Sequence, residues 1–117
     1  ISTNAPHSPY YAPQKNIDRF KKLGFADKPA GFYGMIENID ENMGELIGYL
    51  EEKNQLSNTV VIFMSDNGTA HEGIAKQPLG KDESGNELFG WNAEMKGLKN
   101  TPDEGGVRVP FFIRWDG

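Results

Sequence analysis

No cysteine occurs in the chain, which excludes a disulfide framework, a thiolate zinc site and a cysteine nucleophile within these residues. That absence does not fix the compartment. No apolar run approaches the roughly 20 residues that a membrane span requires, and the N-terminus lacks the basic-then-apolar pattern of a signal peptide. Basic residues are the minority, 12 against 17 acidic ones, for a net charge of −5. They form no cluster of the kind that tracks a phosphate backbone, so nucleic acid is not an expected partner. An initiating methionine is also missing. Ile1 begins in what reads as the end of a strand, and the chain closes just after another apolar strand. The length, 117 residues, is that of one ordinary domain. The abrupt ends nevertheless predict a piece of a longer protein.

What is present is organised around Thr59–Gly68. Val60-Val61-Ile62-Phe63-Met64 is a short, uniformly apolar and β-branched run that ends in Ser65-Asp66-Asn67-Gly68. Such a run reads as a strand covered on both faces, as in a parallel sheet between helices. Ligands of open α/β sheets bind outside the carboxyl ends of strands, where Asp66 and Asn67 would stand as hard oxygen donors. The same residues are good turn chemistry, so an Asx turn is the competing reading.

Around this strand the chain reads as follows. Residues 1–13 are irregular, with three prolines and His7 among them. Residues 14–25 predict a short helix with Ile17, Phe20 and Leu23 on one side and Gly24 as its stop. The strongest helix is predicted from Pro29 to Lys53. There Phe32, Ile36, Ile39, Met43, Leu46 and Leu50 recur at helical spacing, widened by Met35 and Ile47, and predict a core stripe. Gly31, Gly34, Gly44 and Gly48 weaken that helix unless close packing requires some of them. Asn54 is suited to a left-handed close, followed by a turn through Gln55–Asn58. From Asn67 to Gly106 the pattern dissolves into a stretch with eight glycines and two prolines, read as a functional loop. Val107–Trp115 reads as a second strand, with Pro110 marking an edge, bulge or kink. Two strands and two helices do not close an α/β core, which again predicts missing partners.

Four segments together resemble the sulfatase family of the alkaline-phosphatase-like superfamily. Ser2–Pro9 is similar to its strand end and Ala-Pro-His segment, and Tyr33–Gly44 to the helix preceding the metal strand. Val60–Gly68 is similar to its Ser-Asp-Asn-Gly metal segment, and Gly97–Pro110 to its Gly-x-Lys and Glu-Gly-Gly-x-Arg-x-Pro signature. The order and spacing of all four make the resemblance specific, and it covers nearly the whole chain. It implies an α/β fold, a fragment of an alkaline-phosphatase-like sandwich with a mostly parallel sheet flanked by helices. By position it implies that Asp66 and Asn67 are calcium ligands and that His7 serves the leaving-group side of a sulfate ester. Lys99 would contact the sulfate, and His71 would line the substrate pocket. Without the family pattern, His7 reads as a histidine satisfied among prolines, Lys99 as a solvated lysine and His71 as a loop residue. Asn100 departs from the family's frequent glycine. Glu104 and Arg108 read as pins of the loop before the last strand, and Trp91 and Asn92 as packing residues or edges of a sugar subsite.

The resemblance implies a parent that hydrolyses sulfate esters, with sulfated carbohydrates among the candidate substrates, using calcium and a formylglycine nucleophile. The Cys/Ser-x-Pro-x-Arg segment that would make formylglycine is absent here, as are the two aspartates that would complete the calcium site. The chain alone is therefore expected to be inactive, with the rest of the catalytic domain as its partner. Family habit implies a periplasmic or secreted protein. A phosphodiester or phosphonate ester hydrolase of the same superfamily, or a non-catalytic module, are the alternatives. Exposed apolar strand and helix faces are expected to invite self-association.

Overall fold

A computed structural model describes residues 1–70, 78, 80–88 and 92–117. Its elements are α1 (Gln14–Lys22), α2 (Asp27–Glu52), a 3₁₀ turn (Leu56–Asn58), β1 (Val60–Met64), β2 (Gly80–Lys81), β3 (Glu87–Leu88), α3 (Glu104–Val107) and β4 (Phe111–Trp115). They fall into two units, Ile1–Glu41 with His71–Asn92, and Asn42–Ala70 with Ala93–Gly117. No helix among the described residues is long and apolar enough to cross a membrane.

In the first unit α1 lies against the early turns of α2. Gly24 stops α1 as expected, with a φ of 88°, and its N–H donates to the Lys21 carbonyl at 3.0 Å. The helix glycines divide into two kinds. A Cβ on Gly34 would stand 3.2 Å from both the Ala12 Cβ and the Ile17 nitrogen, and one on Gly31 would stand 3.0 Å from the Tyr10 Cβ. At these two positions the absence of a side chain is what lets the neighbouring backbone approach. Gly44 and Gly48 meet nothing within 4 Å. The rings of Tyr10, Phe32, Tyr33, Phe20 and Phe25 form a chain of edge and tilted contacts, with centroids 5.3–5.8 Å apart. Such offset geometries suit aromatic quadrupoles.

A polar clamp accompanies this packing. Asn16, only 2% exposed, donates to Glu37 at 2.9 Å and to Glu41 at 3.2 Å. Lys15 bonds Glu41 at 2.9 Å and Arg19 pairs with Glu37. The Lys15 ammonium holds the Glu41 carboxyl below the usual glutamate range.

Residues 80–88 form a small hairpin. At its turn Asp82 accepts from the Ser84 and Asn86 amides at 2.9 and 2.8 Å. The Lys81 amide ties the hairpin to the Gly24 carbonyl at 3.0 Å.

The second unit carries the organising strand. The last turns of α2 end at Asn54, whose φ of 53° is the left-handed close expected of it. β1 pairs antiparallel with β4, with Val60 opposite Trp115 and Met64 opposite Phe111. Phe63 and Phe112 face each other across the pair, ring centroids 6.4 Å apart.

The coverage of β1, the start of the second strand and the extent of the α2 core stripe differ from expectation. β1 is not covered on both faces: Ile62 is 53% and Met64 57% exposed, and every residue of β4 is exposed. The parallel neighbours of β1 are not among the described residues, where both sheets are antiparallel pairs. The second strand starts at Phe111, because Glu104–Val107 is a short helix. Pro110, without an N–H to give the ladder, precedes the strand and accepts from the Ser65 amide at 3.4 Å. The α2 stripe is core only at its start: Met35 is 7% exposed and Ile36 40%, while Ile39, Met43, Leu46, Ile47 and Leu50 are half-buried.

Candidate active site

The carboxyl end of β1 runs straight into Ser65-Asp66-Asn67-Gly68, and the turn is held by other atoms than the two donors. The Ser65 hydroxyl donates to the Asn67 carbonyl at 3.1 Å, and the Gly68 amide donates to the Gly106 carbonyl at 2.8 Å. In an Asx turn the aspartate or asparagine side-chain oxygen would itself take a backbone N–H. Here the Asn67 Oδ1 is buried without a hydrogen-bond partner, and Asp66 makes no side-chain hydrogen bond or ion pair among the described residues. A buried amide oxygen left unpaired costs free energy unless something electropositive meets it. The turn is therefore held without a hydrogen bond to either side-chain oxygen among the described residues.

Lys99 reaches the same place through the main chain. Its amide donates to the Thr69 carbonyl at 2.7 Å, one residue beyond Gly68. The lysine loop is itself rigidly tied: the Gly105 amide bonds the Lys96 carbonyl at 2.7 Å, and Thr101 Oγ1 both donates to the Leu98 carbonyl and accepts from its amide. Asn100 has a φ of 72°. This left-handed conformation favours glycine and tolerates asparagine best among other residues, so the departure from glycine leaves the loop geometry intact. Gly105 and Gly106 are buried against this loop, where a Cβ on either would run into backbone carbonyls.

The charges of the loop sort in the same way. Lys96 pairs with Asp103 at 3.0 Å, and Arg108 stands 3.8 Å from Glu104 with both side chains exposed. Glu104 and Arg108 thus make the local pin expected of them, though a weak one. Lys99 forms no ion pair among the described residues. The second unit therefore gathers two oxygen donors and a half-buried lysine at one loop cluster.

His7 belongs to the first unit, exposed, with its Nδ1 2.8 Å from the Ser8 carbonyl. A carbonyl only accepts, so Nδ1 carries the proton of that contact. Nε2 is then the ring nitrogen without a hydrogen bond among the described residues, and it can donate only when the ring is doubly protonated. His71, Phe89 and Trp91 lie outside the described residues; Asn92 is half-buried.

Asp66 and Asn67 suit a calcium ion in donor type, because calcium takes carboxylate and amide oxygens in flexible geometry. They are two of the six to eight ligands it needs, and no three His, Cys, Asp or Glu side chains converge to hold a metal among the described residues. Asn16 and its carboxylate partners were not signalled by the sequence; an asparagine in a basic helix face reads as solvated.

Comparison with known proteins accounts for this arrangement. The Sulfatase family model matches residues 1–117. Arylsulfatase H of Homo sapiens is 32% identical over 93% of the chain, and the uncharacterized sulfatase YdeN of Escherichia coli is 28% identical over all of it. The crystal structure of Ps i-CgsB in complex with k-i-k-neocarrahexaose superposes with a TM-score of 0.72 at 32% identity over 96% of the chain. The chain spans 17% and 18% of the two curated relatives and 21% of that solved chain. The α/β elements are those of the alkaline-phosphatase-like fold. With the Ser-Asp-Asn-Gly turn, the lysine loop and the Glu-Gly-Gly-x-Arg segment all in place, the chain belongs to the sulfatase family.

Proposed function

We propose that the chain supplies part of the active site of a calcium-dependent sulfate ester hydrolase acting on sulfated carbohydrate. The observation that carries this reading is the joining of the Asp66–Asn67 turn to the Lys99 loop by main-chain bonds, with Asn67 Oδ1 left unpaired. Asp66 and Asn67 would give oxygen ligands to calcium, which when bound would supply positive charge that stabilises the anionic sulfate. Lys99 binds a sulfate oxygen through its ammonium group and stabilises negative charge that grows there. His7 gives the Nε2 proton to the departing alcohol oxygen. The nucleophile, a formylglycine in this reading, lies outside these residues. Carbohydrate as substrate is supported by the saccharide bound to the similar solved structure.

The test is sulfate release by the full-length protein, with and without calcium, from 4-nitrophenyl sulfate and from sulfated saccharides. Calcium-dependent release supports the reading. Hydrolysis of phosphate diesters with no sulfate release moves it to phosphoester chemistry, and neither activity makes the protein a non-catalytic module.

A further inference from the structure

In the first unit a groove of about 570 Å³ is lined by Ser8, Pro9, Tyr10, Asp27 and Lys28. Its wall begins at the residue that follows His7. The two charges on the wall are not equivalent. Asp27 is paired with Lys21 at 2.7 Å, and the same contact raises the Lys21 ammonium above the ordinary lysine range. Lys28 is exposed and forms no ion pair among the described residues. The groove therefore presents one uncompensated positive charge. Tyr10 stands beside it, half-buried and held edge-on against Phe32 with centroids 5.6 Å apart. An aromatic body with a hydroxyl, lining the same groove as an ammonium group, matches a sugar ring that carries an anionic substituent.

We propose that this groove receives the sugar on the leaving-group side of the scissile ester, and that Lys28 selects sugars bearing a second sulfate there. The assignment rests on His7 acting at the leaving oxygen, as in the function proposed above. Lys28 is a specificity residue in this scheme. It binds an oxygen remote from the reacting sulfur, so its contribution lies in affinity and not in the chemical step.

The experiment is competition against 4-nitrophenyl sulfate hydrolysis by the full-length protein. The competitors are galactan disaccharides with one sulfate, with two sulfates, or with one sulfate and a uronate carboxylate. The wild type is expected to bind the disulfated disaccharide about tenfold more tightly than the monosulfated one, the scale of one charge-assisted contact. Lys28→Ala is expected to abolish that preference, and Lys28→Arg to restore it. An equal preference in Lys28→Ala and wild type, or no inhibition by any disaccharide, overturns the proposal while the sulfatase reading stands. Discrimination in favour of the uronate alone overturns the second sulfate as its ligand. Failure of the wild type to release sulfate from any of these compounds overturns the sulfatase reading itself, and the inference with it.

Discussion

Asn67 illustrates how much chemistry one atom can carry. Its Oδ1 is buried and unpaired, and in the full-length protein Asn67→Ala is expected to lower calcium affinity measured by titration. A merely turn-forming asparagine would leave that affinity unaltered. Lys99→Ala is expected to lower kcat for sulfate release by about 10² to 10³-fold, the usual loss when one donor to a developing anion is removed. Asn100 makes a purely conformational test. With φ at 72°, Asn100→Gly should leave stability nearly unchanged, whereas Asn100→Val should cost about 1–2 kcal/mol in chemical denaturation. At this scale the sequence located the turn that carries Asp66 and Asn67 and the loop that carries Lys99, because their motifs fix both residue type and spacing; the roles of these side chains are the subject of the substitutions above. It was silent about Asn16, whose burial depends on α1 and α2 meeting, and about Lys28, whose freedom depends on Lys21 having taken Asp27. Neither fact is local in sequence.

At the scale of elements, periodicity and stop signals located α1 and α2 to within two or three residues, since amphipathic spacing, Gly24 and Asn54 act within single turns. The loop from Asn67 to Gly106 was less legible. Its hairpin rests on backbone bonds to the Asp82 carboxylate, and its short helix includes Gly105 and Gly106, which read as part of a loop. Strand coverage was misread for a physical reason: an apolar run states what a strand can bury, not what lies on it. The α1–α2 clamp gives a pH prediction. Glu41 is held below its ordinary range mainly by the bond from Lys15, so its contribution to stability is fully present above the unfolded-state value. It is lost as the pH falls from the ordinary glutamate range through the lowered one. Glu41→Gln should therefore narrow the gap in unfolding midpoint between neutral and acidic solution. The helix glycines give opposite signs for one substitution. Gly44→Ala, facing open space, should stabilise by about 0.5–1 kcal/mol, while Gly34→Ala should destabilise by forcing α1 away.

At the scale of the molecule, the apolar β1–β4 pair is the dominant exposed feature, with Phe112 at 64% and Trp115 at 67% exposed. A two-stranded sheet with such faces is marginal in water. The 117-residue chain by itself is expected to associate in a concentration-dependent way, visible by light scattering, and to release no sulfate from 4-nitrophenyl sulfate. Measurable turnover by that chain would contradict the placement of the nucleophile elsewhere.

The main-chain stitching between the Asp66–Asn67 turn and the Lys99 loop has a consequence for how such a site can change. The bonds Gly68–Gly106, Thr69–Lys99 and Lys96–Gly105 use only amides and carbonyls, so no side-chain replacement at 66, 67 or 99 removes them. The two segments behave as one cassette in which scaffold and chemistry are encoded separately. Lineages, or designers, can exchange the reactive side chains while the frame that aims them is inherited unaltered.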